Sequence, residues 1–179
     1  MKSQFWFYSD TLLEKISAIE RRPSEILTAS VDLTPVLDEL RVLIEPAYRE
    51  SGMTVVWQVP EERVLVRAER YGLLQVFLNI TRNSQQAMQT TRRKQLTVRR
   101  AVDHGSVSIR FEDTGTSISE PQNLFRPFQQ GASSTGLGLY ISRAILKGFG
   151  GNIIFEPRSE GCCFVVTLQT VSDMELVNA

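Results

Sequence analysis

The chain has 179 residues, with 20 Lys plus Arg against 20 Asp plus Glu, so its formal net charge is zero. That balance excludes a global field for nucleic acid or for an anionic membrane surface. Hydrophobic residues at 42% and charged residues at 22% are ordinary for a globular domain with a sizeable core, and no apolar run approaches the roughly 18 residues of a membrane helix.

The opening Phe5-Trp6-Phe7-Tyr8 is too short for a signal-peptide core and lacks a small-residue cleavage site. Leu12, Leu13, Ile16 and Ile19 recur at helical spacing before Arg21-Arg22-Pro23 interrupts them. Residues 1–30 are therefore expected to form a helical extension that packs on the following domain or on a partner helix. A second helix follows, with Thr34 as expected N-cap, Pro35 at its first position, and Val36, Leu37, Leu40, Leu43, Ile44 and Ala47 on its apolar face. Gly52 stops it. "MTVVWQV" (53–59) and "RVLV" (63–66) read as two short strands across a Pro60-Glu-Glu turn.

A long helix is expected from Tyr71 to about Gln89. "QLTVRRAV" (95–102) and "SVSIRFED" (106–113) are β-rich runs joined by the turn Asp103-His104-Gly105. A loop with Pro121, Pro127 and Gly131 comes next, then a helix from Leu137 to about Phe149. "GNIIFEP" (151–157) and "CCFVVTLQ" (162–169) form a last hairpin, and residues 171–179 a tail. The pattern predicts an α+β chain: a two-layer sandwich, with a mostly antiparallel sheet packed on about three helices over residues 31–170. The only cysteines, Cys162 and Cys163, are neighbours that a strand points to opposite faces, so they read as structural thiols rather than a disulfide framework. The basic run "TRRKQLTVRR" (91–100) reads as a solvated hairpin edge.

Three stretches carry candidate chemistry. On the helix "YGLLQVFLNITRNSQQAM", Leu73, Phe77, Ile80 and Ala87 share a stripe with Ser84 that faces the sheet, and Asn79 and Asn83 project side by side from a polar stripe. An amide oxygen is a hard neutral ligand suited to Mg²⁺, although a solvated polar face looks the same. In "EDTGTSISE" (112–120), an acid and a glycine follow a strand. In "SSTGLGLYISRAI" (133–145), Gly136 and Gly138 open a helix whose first N–H groups lack intrahelical partners and can bind phosphate. This is neither a Walker loop nor a dinucleotide fingerprint.

Taken in order, an Asn-bearing helix, Asp-x-Gly after a strand, Phe125-x-x-Phe128 and Thr-Gly-Leu-Gly-Leu resemble the ATP-binding catalytic domain of two-component sensor histidine kinases, in the GHKL superfamily that includes gyrase and MutL. The N box is "LLQVFLNITRNSQQAM", the first G box "FEDTGTSIS", the F box "LFRPF" and the second G box "STGLGLYISRAI". The resemblance covers roughly residues 30–170 and implies the Bergerat ATP-binding fold. It implies that Asp113 accepts a hydrogen bond from the adenine amino group, that Gly115 lets the backbone approach the base, and that Ile118 lines the same pocket. Asn83 would hold Mg²⁺ on the phosphates, with Asn79 beside it as the second catalytic residue. The backbone from Thr135 through Gly136, Leu137, Gly138 and Leu139 would meet the phosphates. Phe125 and Phe128 would anchor a lid, which with only residues 129–134 between boxes resembles the short-lid nitrogen-regulator type. An amide at position 79, where the superfamily's ATPases carry a glutamate, disfavours general-base hydrolysis and favours phosphoryl transfer.

The resemblance implies ATP and Mg²⁺ as cofactors. It implies a histidine-bearing dimerisation domain and a response regulator as partners, no nucleic acid or membrane contact by this chain, and a cytoplasmic setting even for a membrane-anchored parent. The only histidine, His104, stands in a predicted turn, a poor place for a phosphoacceptor. The expected role is thus transfer to a histidine outside this chain, with residues 1–30 as a linker or the end of a dimerisation helix, and no autophosphorylation by the chain alone. Ser117 and Ser134 stand where the family usually has glycines. A positive φ at 117 would cost a non-glycine about 1 kcal/mol or more. The alternatives are a degenerate nucleotide- or protein-binding module and a serine kinase of the anti-sigma type.

Overall fold

The computed structural model describes residues 30–127 and 136–171. The expected helix over 12–19, the lid with Phe128 and Thr135, and the tail past Val171 lie outside these residues. The elements run β1 (Ser30–Asp32), α1 (Leu33–Glu50), β2 (Thr54–Gln58), β3 (Leu65–Arg67), α2 (Arg70–Ala87), β4 (Gln95–Asp103), β5 (Ser106–Asp113), a 3₁₀ turn (Pro121–Asn123), α3 (Gly138–Gly148), β6 (Asn152–Pro157) and β7 (Cys162–Gln169).

The main sheet has the order β2-β4-β5-β7-β6. Only β2 and β4 run parallel; the remaining ladders are antiparallel. Alternation along the strands sends Leu96 and Val98, Val107, Ile109 and Phe111, and Phe164, Val166 and Leu168 to the helical side. There they join Leu40 and Ile44 of α1, Phe77 and Ile80 of α2 and Leu146 of α3 in one core. Phe77 and Phe111 sit at its centre, both fully buried, with ring centroids 5.5 Å apart. The expected two-layer α/β sandwich is what the chain adopts.

Several local readings change. The segments over 53–59 and 63–66 do not pair with each other. β2 runs parallel to β4, and β3 pairs antiparallel with β1 in a separate two-stranded sheet, with Val31 opposite Val66. Arg100, buried on the helical side, donates from its guanidinium to the carbonyls of Pro60 (2.6 Å) and Glu62 (2.5 Å), between β2 and β3, and to the Thr34 hydroxyl (3.2 Å). These bonds hold residues 60–62 as a spacer rather than a hairpin turn. The basic run is accordingly not an edge: β4 is flanked by β2 and β5, and Arg99 donates across to Gln58 at 2.8 Å.

The N-cap of α1 is Asp32 rather than Thr34, its carboxylate accepting from the Thr34 N–H at 3.0 Å. Leu43 and Ala47 face solvent, while Leu33 and Tyr48 take the inward positions. Tyr48 donates to the Thr81 carbonyl at 2.6 Å and ties α1 to α2. The stop at Gly52 holds, with φ +67°. His104 and Gly105, both at positive φ, make the two-residue β4–β5 turn, and the His104 ring is exposed beside Asp103. Past β7 the chain keeps its bonds: Thr170 N–H donates to the Gly105 carbonyl (3.0 Å) and Val171 N–H to the Leu65 carbonyl (2.8 Å). This last bond clasps the small sheet to the large one.

Truncating Phe111→Ala removes one of the two central rings without a way to refill the space. Urea denaturation should show a loss of about 3–5 kcal/mol.

Candidate functional site

β5 delivers Asp113 to the helical side of the sheet at its end, where the side chain is only 3% exposed. A bare charge there would cost several kcal/mol, so its oxygens must be paired. Oδ1 accepts the Gly115 N–H at 2.9 Å and Oδ2 the Ser84 hydroxyl of α2 at 2.9 Å. The Cys162 N–H, on the opposing strand, also bonds the carboxylate. Burial pushes the Asp113 carboxyl above its ordinary value, and these three donors together with the charge of Arg158 oppose that rise.

The turn after Asp113 is closed tightly against the end of α2. Thr116 N–H donates to the Ala87 carbonyl at 3.0 Å. A Cβ on Gly115 would lie 2.6 Å from the Ala87 Cβ and 2.9 Å from Asp113 Oδ1. The glycine is therefore required by its approach to α2, a constraint the sequence reading did not assign. Ser117 keeps a negative φ, since His104 is the one non-glycine at positive φ among the described residues. The missing glycine at 117 therefore imposes no backbone strain. Cys162 supports the turn from below: its thiol donates to the Thr116 carbonyl at 3.5 Å and receives the Ile118 N–H. Burial raises this thiol to about 11, so it stays protonated and acts as a donor. Gly161, at φ +72°, packs directly on the Asp113 carbonyl, and a Cβ there would overlap it.

The polar stripe of α2 completes the opposite wall. The Asn79 amide donates to the Gly138 carbonyl (3.3 Å) and to the Ser142 hydroxyl (3.2 Å), joining α2 to the first turn of α3. Asn83, one residue before Ser84, is partly buried and takes no side-chain hydrogen-bond partner among the described residues. α1 and α2 are capped by the carboxylates of Asp32 and Glu69, but α3 begins at Leu137-Gly138 without a side-chain cap. Its first N–H groups therefore take no side-chain cap among the described residues, and a helix start of this kind suits an anion. Gly136 enters this end at φ +67°, Leu137 is buried, and Leu139 packs on the core. Phe125 also packs on the core, with the Arg143 guanidinium 5.1 Å from its ring centre.

The structure thus brings Asp113, Gly115 and Gly138 against α2, which itself carries Asn79 and Asn83, and packs Ile118, Phe125 and Leu139 on the core, while Phe128 and Thr135 lie outside the described residues. The sequence reading missed Ser84, Ser142, Gly161 and Cys162 as site supports. Ser84 carried a usable signal, because a hydroxyl on the sheet-facing stripe needs a polar partner in the core. Beyond the turn lies an open cleft of about 790 Å³, lined by Arg92, Arg93, Ser117, Glu160 and neighbours.

Residues 68–172 match the family described as histidine kinase-, DNA gyrase B- and HSP90-like ATPases. The chain is 34% identical over 146 residues to the C4-dicarboxylate transport sensor protein DctS of Rhodobacter capsulatus, covering 78% of this chain and 22% of that protein. It is 27% identical over 157 residues to the signal transduction histidine-protein kinase AtoS of Escherichia coli, covering 82% and 26%. The nucleotide-free catalytic domain of histidine kinase ThkA superposes with a TM-score of 0.71 at 26% identity, over 79% of this chain and 94% of that one. The chain therefore spans about a quarter of the length of these curated relatives and nearly the whole of a solved catalytic domain.

Replacing Gly161 by Ala forces both a positive φ on a side chain and a clash with the Asp113 carbonyl. Thermal or urea unfolding should show a loss of more than about 2 kcal/mol.

Proposed function

The chain belongs to the family of histidine kinase-, DNA gyrase B- and HSP90-like ATPases, and on that premise we propose that it binds Mg-ATP and passes the γ-phosphoryl group to a histidine outside these 179 residues. The observation that carries this reading is the pairing of two unlike ends on one helix. At one end of the α2 contacts lies a buried carboxylate, Asp113, held by donors from three segments. At the other lies the uncapped start of α3, tied to α2 through Asn79.

An ionised carboxylate is acceptor-only, so Asp113 suits the exocyclic amine of adenine and disfavours a base with a carbonyl there. The N–H groups at Gly138 and Leu139 suit phosphate oxygens. Asn83 is the side chain suited to Mg²⁺: it is a neutral oxygen donor whose side chain takes no hydrogen-bond partner among the described residues, and this ion characteristically shares its shell between one or two protein oxygens, waters and phosphates. When bound, the ion supplies charge neutralisation on the triphosphate. The chain's own part is then positioning, with α2 setting the distance between base and phosphate ends. Asn79 cannot take a proton from water at neutral pH, which favours transfer to a supplied nucleophile over hydrolysis.

His104 is a weak candidate for that nucleophile, since it sits in the β4–β5 turn. We place the acceptor on a dimerisation domain, with a response regulator downstream, as in two-component signalling. The unstrained Ser117 removes one of the two reasons to read the domain as degenerate; the other, Ser134, lies outside the described residues.

Calorimetry should detect ATP binding that Mg²⁺ strengthens in the wild type but hardly in Asn83→Ala. No binding at millimolar ATP would sink the reading, and so would binding without phosphorylation of a histidine-bearing dimerisation fragment supplied in trans. A pH series adds a second check. Because burial raises Asp113 above its ordinary 3.8, the acceptor carboxylate is lost on acidification before pH 3.8 is reached. ATP affinity should fall in that window for the wild type, and Asp113→Asn should lack the step.

A further inference from the structure

Ser84 is 1% exposed and lies one residue beyond Asn83 on α2. A serine inside a helix commonly returns its hydroxyl hydrogen bond to the carbonyl one turn back. Here the hydroxyl leaves the helix and donates to Asp113 Oδ2 at 2.9 Å. The other two donors to this carboxylate, the N–H groups of Gly115 and Cys162, are backbone groups that the fold supplies whatever the side chains are. Ser84 is the one side chain that donates to Asp113 among the described residues.

Resting on the reading of Asp113 as the base-recognising carboxylate, we propose that Ser84 is a positioning residue that determines base specificity, by fixing the carboxylate so that a single acceptor position is left for the adenine amine. An ionised carboxylate offers about four lone-pair positions. Three are filled by Gly115, Cys162 and Ser84, which leaves about one. The Gly115 bond holds Oδ1 and the Ser84 bond holds Oδ2, so the carboxylate plane has no freedom to turn. The other ionisable groups that face it are Tyr48 from α1, the Cys162 thiol from β7 and Arg158 from the β6–β7 turn. Arg158 is engaged with Glu112, and the two neutral groups donate elsewhere, the Tyr48 hydroxyl to the Thr81 carbonyl and the Cys162 thiol to the Thr116 carbonyl. Without the Ser84 hydroxyl, Oδ2 is left short of a donor in a buried site and the carboxylate is held only by its two backbone donors. The amine then loses its preferred partner, whereas a base bearing a carbonyl at that position never had one.

The test compares ATP with ITP, which carries a carbonyl in place of the amine, by calorimetry or competition on the wild type, Ser84→Ala, Ser84→Cys and Asp113→Asn. Melting curves establish that each variant folds. Ser84→Ala should weaken ATP about tenfold and ITP much less, narrowing the ATP preference. Ser84→Cys, nearly the same shape with a weak donor, should fall between. Equal weakening of both nucleotides, or an unchanged preference in Ser84→Ala while Asp113→Asn loses it, overturns the role of Ser84. Failure of the wild type to bind ATP, or full ATP preference in Asp113→Asn, overturns the reading of Asp113 and this proposal with it.

Discussion

A carboxylate removed from water must be surrounded by donors, and Asp113 draws its donors from three separate places in the chain. Ser84 comes from α2, Gly115 from the turn that follows β5, and the Cys162 N–H from β7. Satisfying one charge therefore pins a helix, a loop and a strand to a common point. The two glycines beside it follow from that convergence. Gly115 is small because α2 must come close enough for Ser84 to reach the carboxylate, and Gly161 is small because β7 must begin against the Asp113 backbone.

The helix ends show a complementary choice. α1 and α2 begin under carboxylates that satisfy their first N–H groups, so neither end attracts an anion. α3 begins on a glycine-bearing entry with no such cap and is anchored instead by its carbonyl and Ser142 to Asn79. The anchor uses a carbonyl and a hydroxyl rather than the first N–H groups, so it fixes the position of the helix without occupying its positive end. The proposed base-recognising carboxylate and phosphate-binding helix start are thus both referred to α2.

Much of this was legible in the sequence because it is written in local patterns. The stripe on α2, the Gly-Leu-Gly entry to α3 and the Asp-x-Gly after an alternating strand are each read from a few neighbouring residues, and their order along the chain carried the family. What escaped was non-local. Nothing near residues 60–62 says that Arg100 will claim their carbonyls, or that β2 will find a parallel partner and β3 will pair with β1. Gly115 was legible as small but not as pressed against Ala87, and Gly161 looked like any hairpin glycine. Capping was misplaced by two residues because Asp32 and Thr34 are both competent, and only the start of the helix decides between them.

The stitches beyond β7 bear on how such a domain is cut. Val171 closes the clasp onto Leu65, and Thr170 meets both Gly105 and Val66. A truncation or fusion junction placed at the end of the last strand, which strand boundaries alone would invite, leaves the Leu65 carbonyl without its donor. It would also release the small sheet on which α1 and its link through Tyr48 depend. A boundary that keeps these hydrogen bonds must include Val171, two residues past the strand.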